Sequence, residues 1–87
     1  MNHCSSVLIV RTPDGEWVKG DPFWPQTTTR ITEAARLSTM ADAKKFVKTA
    51  TKRLKAGELK IVKASAEYDS NFTCIAVRVI MSEPVQA

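Results

Sequence analysis

The stretch Thr39 to Lys55, TMADAKKFVKTATKRLK, decides how the rest of the chain must be arranged. Its apolar residues Met40, Ala43, Phe46, Val47, Ala50 and Leu54 recur at the three-and-four spacing that lines one side of an α-helix. At about 100° of rotation per residue, Lys44, Lys45, Lys48, Lys52 and Lys55 fall within one arc of roughly 100° on the opposite side. One face is built for a core and the other for a charged surface. Thr39 is placed to cap the first turn, and Asp42 is placed to return a bond to the cap and to sit at the positive end of the helix dipole. Gly57 supplies a left-handed stop.

Working outward, Val7-Leu8-Ile9-Val10 within Ser5 to Thr12 is an unbroken apolar run, the pattern of an interior strand covered on both faces. Pro13-Asp14-Gly15 turns the chain, and Glu16 to Lys19 returns as the second arm of a hairpin. Gly20 to Thr29, GDPFWPQTTT, has two prolines and no alternation, and reads as a loop carrying Phe23 and Trp24 side by side. Arg30 to Ser38 reads as a turn of helix at Ile31, Ala34 and Leu37, followed by a short strand at Ala35-Arg36-Leu37. Beyond the helix, Leu59 to Tyr68 and Phe72 to Met81 are strands joined by the turn residues Asp69-Ser70-Asn71. In the last strand Ile75, Val77, Val79 and Met81 alternate with Phe72, Cys74, Ala76, Arg78 and Ile80. The expectation is one α+β domain over 1–87: an amphipathic helix on a mainly antiparallel sheet of four or five strands, ββαββ-like.

At 87 residues the chain can build one modest core and no roomy cleft. Its net charge of +4 is unevenly spread. From Lys44 to Lys63 eight Lys and Arg face the single acid Glu58, a local +7; the remainder carries five basic and eight acidic residues, −3. A positive field centred on the helix follows. The two cysteines, Cys4 and Cys74, have no metal-ligand spacing and suit a reducing cytoplasm. MNHCSS lacks the basic start of a signal peptide, and VLIV is too short to span a membrane, so no membrane partner is expected.

Nucleophilic catalysis needs a nucleophile, a base beside it and a group that orients the base. The lone histidine, His3, lies in a terminal segment expected to fray, and the three glycines are isolated at turns rather than gathered into a phosphate-cradling loop. Tetrahedral metal sites take three or four ligands, and His3-Cys4 offers two. No catalytic residue, metal or cofactor is assigned, and the chain reads as non-enzymatic.

Two binding features remain. Lys44, Lys45, Lys48, Lys52 and Lys55 are either a solvated face or a docking face. The second reading draws on the missing counter-charge, because Asp42 is the only acid between Ser38 and Gly57 and like charges at helical spacing repel. Phe23 and Trp24 either fold back to close the core or stand as an exposed anchor.

Gly15-x-Trp17, the Phe23-Trp24 pair, Ile31-x-x-Ala34-x-x-Leu37 and Ala43 resemble the makings of small accessory proteins of bacteriophages and mobile elements, a class that includes anti-CRISPR and other host-takeover proteins. The resemblance implies a protein-binding inhibitor of a host or defence complex such as a CRISPR effector, acting in the host cytoplasm. The alternative is a nucleic-acid-binding domain that sets its lysine face on phosphates. A final expectation concerns the sheet. One helix covers one side, the strands look apolar on both, and the other side is covered in part by the Phe23-Trp24 loop, leaving Phe72, Cys74, Ala76 or Ile80 for a homodimer or partner contact.

Overall fold

The helix that the sequence announces runs from Met40 to Leu54 (α1), in a computed structural model that describes residues 2–80. Thr39 caps it, its Oγ1 accepting from the Asp42 N–H at 3.1 Å. The Asp42 carboxylate makes no return bond to the Thr39 N–H among the described residues; a capping box uses the longer Glu or Gln at this place. The left-handed stop falls on Lys55, at φ 55°, and not on Gly57. Gly57 has a different duty. It also has positive φ, 99°, and a Cβ added there would come within 3.0 Å of Pro13 Cγ, so a side chain would collide with the first turn of the chain.

Five strands form one antiparallel sheet in the order β3-β2-β1-β4-β5: β1 is His3–Arg11, β2 Trp17–Asp21, β3 Trp24–Thr28, β4 Lys60–Tyr68 and β5 Cys74–Val79. The α+β class and the antiparallel sheet are as the sequence implies. The boundaries differ most at Gly20 to Thr29, which is a hairpin and not a loop. Asp21 Oδ1 accepts from the Phe23 N–H at 2.8 Å to close a two-residue turn, and Gly20 faces Pro25 across the ladder. The missing period-two pattern is explained by position: β3 is an edge strand, where proline is tolerated, and only Thr28 of its five residues is buried.

The first hairpin is pried open. β1 and β2 are in register only at Arg11 and Trp17. Past that pair the segment Ala35-Arg36-Leu37 slips between them, exchanging two hydrogen bonds with Leu8 (2.7 and 2.8 Å) and donating from the Ala35 N–H to the Val18 carbonyl at 3.0 Å. A single 3₁₀ turn at Ile31–Glu33 precedes it, as read, whereas the short strand expected at Ala35-Arg36-Leu37 is reduced to one isolated bridge from Leu37 to Leu8.

Both faces of the sheet are packed. Val10, Val18 and Leu59 meet Phe46 and Ala50 of α1 on one side, with Leu37, Val47 and Leu54 at the margin. Val7, Ile9, Val62, Ala64, Ala66 and Val77 form the other side with Ala34. That second layer is closed by Ile31, Ala34, Trp17, Tyr68 and Cys74, and not by the Phe23-Trp24 segment, whose backbone is committed to its own hairpin. Cys74 belongs to this layer because a bulge at Glu67/Tyr68 shifts the pairing by one residue, turning Cys74 to the side of Val77 and breaking the alternation expected of the last strand. The far end of the α1 side stays open, and there the sheet is polar: Cys4, Ser65, Glu67, Ala76 and Arg78 line a small hollow. The second face is apolar as expected, but of the residues expected to remain open on it Ala76 lies instead in this polar hollow on the α1 side and Cys74 is half-buried in the second layer. Met81 and the residues after it lie outside the described residues.

Candidate binding surface

All five lysines of the predicted face, Lys44, Lys45, Lys48, Lys52 and Lys55, are exposed. Four lie on α1 and Lys55 is its left-handed cap. The ion pairs among the described residues are Lys19 with Glu33, Arg30 with Glu33 and Lys60 with Glu58, so none of the five lysines has a carboxylate within 4.0 Å there. Each keeps its charge facing solvent. Unpaired like charges at three-and-four spacing cost a few tenths of a kcal/mol per pair, an unfavourable term that an anionic partner would relieve.

Phe23 and Trp24 do not close the core. They stand out at the β2–β3 turn, 55 % and 78 % exposed, because the Asp21 turn and the Gly20–Pro25 pairing hold them at the tip of the hairpin. The sheet brings that tip against α1. Pro22 and Phe23 face Leu37, Lys45, Phe46 and Thr49 across a shallow groove of about 480 Å³ whose rim includes Asp42 and Lys48. The Arg53 guanidinium lies 6.0 Å from the centroid of the Phe23 ring, within cation–π range. Thus two features separated in the sequence meet in part: Phe23 lines one groove with Lys45 and Lys48 and lies in cation–π range of Arg53. Trp24, exposed at the same tip and paired with Asp21, falls by the two-residue alternation on the face of Trp17, away from α1. Lys44, Lys52 and Lys55 extend the positive field without lining the groove.

Arg53 was missed by the sequence reading, although a signal existed. It lies four residues after Thr49 and eight after Lys45, hence on the stripe that borders the lysine arc. The aromatic pair's exposure was signalled by Asp21-Pro22, a turn opener that places the next residue at a hairpin tip.

The other residues weighed for chemistry are dispersed. His3 begins β1, paired with Tyr68 and with its ring stacked on that of Phe72 at 5.9 Å, and so lies within the ladder. Cys4 is exposed and Cys74 half-buried, both as free thiols, on opposite sides of the sheet. Among the described residues no cluster of three or more His, Cys, Asp or Glu could hold a metal ion, and no helix is long and apolar enough to cross a membrane. The carboxylate with a perturbed environment is Glu33, held below its ordinary value by the Thr28 hydroxyl, which donates to it at 2.7 Å, and then by Lys19. It ties the 3₁₀ turn to β3 and lies in no groove described above. Compared with models of known protein families, with curated proteins and with solved structures, the chain matches none.

Proposed function

We propose that this chain is a non-enzymatic protein-binding module that docks through α1 and the β2–β3 tip onto an acidic protein surface. The carrying observation is the junction of exposed Phe23 with Lys45 and Lys48 across one groove, inside a field of five lysines that have no carboxylate partner among the described residues. Charge steers the encounter, and a large rigid aromatic supplies desolvated contact area at the centre. Together with the resemblance to small accessory proteins of bacteriophages and mobile elements, this supports an inhibitor that occupies the surface of a host or defence complex, such as a CRISPR effector, in the host cytoplasm.

A second reading is favoured by Trp24, whose 78 % exposure at the hairpin tip of a basic protein also suits stacking on a base of a single-stranded nucleic acid. Capture from bacterial host lysate separates the two. The bait is run with and without nuclease, beside the triple variant Lys44→Glu, Lys48→Glu, Lys52→Glu and beside Trp24→Ala. The protein-binding reading expects a nuclease-resistant partner lost from both variants. Loss on nuclease treatment transfers the assignment to nucleic acid; equal capture by parent and triple variant removes the lysine face from function.

A further inference from the structure

The two edges of the sheet are not alike. β3 is protected: Pro25 lacks an N–H and α1 packs against the strand. β5, the other edge, has no proline, no lysine and a single charge, Arg78, and its exposed side chains include Ile75 at 46 % and Val79 at 40 %. The Ile80 N–H donates to the Lys63 carbonyl at 2.9 Å, so by the two-residue period of an antiparallel ladder the N–H and C=O groups of Val77 and Val79 are turned away from β4. Among the described residues nothing pairs with these groups, and an apolar edge of this kind is a template for another strand.

We propose that two copies of this chain pair through β5, antiparallel about a two-fold axis at Val77, joining their sheets into one. This surface is separate from the α1 groove and does not depend on the reading given to it. The register follows from the outward groups: Val77 faces Val77 of the second copy, Ile75 faces its Val79, and Ala76 faces its Arg78. The side chains suit that register. Ile75 with Val79 is a β-branched pair across the new ladder. On the open polar side, Glu67 is the β4 neighbour of Ala76, and both line the hollow that contains Arg78. In the pair, Arg78 of the second copy lies opposite Ala76, small enough for the guanidinium to reach over it to Glu67, and the symmetry forms this ion pair twice. No charge of like sign is set opposite another. The lysine face stays clear as well, since α1 packs mainly on β1, β3 and β4.

Sedimentation velocity on the full chain from low to high micromolar concentration tests this, with circular dichroism melts confirming that each variant is folded. The expected result is a reversible dimer. Arg78→Glu sets two acids against each other at both symmetric sites and raises the dissociation constant about tenfold, Glu67→Arg with Arg78→Glu returns it to near the parent value, and Ile75→Lys abolishes pairing. Hydrogen exchange at the Val77 and Val79 amides should slow as concentration rises. A parent that stays monomeric throughout overturns the proposal, as does a dimer indifferent to both Ile75→Lys and Arg78→Glu. Amides of β5 that gain protection only when a different protein is added would assign the edge to a foreign strand instead.

Discussion

Replacing Phe46 by alanine removes the side chain that joins α1 to the sheet. Phe46 is 4 % exposed and packs with Val10, Val18, Ala50 and Leu59, so nearly the whole ring is lost from a closed layer. An aromatic side chain buries at least about 150 Å², which at about 25 cal/mol per Å² is roughly 4 kcal/mol. Measured Phe→Ala changes in cores span about 3–5 kcal/mol, consistent with that figure. Relaxation offers little relief, because the neighbours on the sheet are fixed by its ladder and Ala50 is already minimal in size. A chain of this length has on the order of 4–13 kcal/mol of total stability, and each kcal/mol moves the melting temperature by about 4–8 °C. The expected loss is therefore at least ten degrees, and for a parent at the low end it is unfolding at room temperature. Urea denaturation followed by circular dichroism measures it, with Lys48→Ala, an exposed position on the same helix, as the control expected to stay within about 0.5 kcal/mol. The midpoint should fall with an unchanged slope. A variant that melts within a few degrees of the parent would refute the packing of α1 described here.

Three further outcomes are expected. Glu33 is held below its ordinary value of 4.5, so its ion pair and Thr28 bond contribute stability that is complete above that value and is lost as the pH falls through the lowered one; acid titration of the melting temperature of Glu33→Gln should lack this step. Lys55→Gly relieves a left-handed φ and should leave stability unchanged or raise it by up to about 1 kcal/mol, whereas Gly57→Ala, driven against Pro13, should lower it; chemical denaturation of the two variants shows opposite signs. Affinity for the partner should weaken steeply with added salt, because exposed charges are screened beyond about 8–10 Å at ordinary ionic strength, and a salt-independent titration would show that the lysines take no part.

What could be read from the sequence was whatever repeats locally. α1 declares itself through Met40, Ala43, Phe46, Val47, Ala50 and Leu54, and its cap through Thr39, because a helix is a short-range object whose period is written in consecutive residues. The Pro13-Asp14-Gly15 turn, the Asp69 turn and the central position of Val7 to Val10 are legible for similar reasons. The β2–β3 hairpin was hidden because an edge strand with exposed residues on both sides carries no hydrophobic alternation. The phase of β5 was hidden by its bulge, since one extra residue opposite Tyr68 turns Cys74 over and nothing in CIAVRV marks it. As for the binding surface, the lysine arc was readable from spacing alone. Its meeting with Phe23 was not, since residues 23 and 45 to 53 are brought together only by the curl of the β2–β3 hairpin against α1.

The insertion of Ala35-Arg36-Leu37 between β1 and β2 bears on the order in which the chain can fold. A tight hairpin normally zips from its turn within microseconds, each rung prepared by the last. Here zipping from the Thr12–Glu16 turn must halt after Arg11 and Trp17, for if the arms closed further they would occupy the ladder positions on Leu8 and Val18 that Leu37 and Ala35 take in the finished sheet. A hairpin closed beyond that pair would have to unzip before Leu37 and Ala35 could take those positions. Both ladders of β1 join segments distant along the chain, Leu37 on one side and β4 on the other, and such non-local pairing is formed slowly. The central strand of this protein is completed late, and the chain that follows it must be present before it can be.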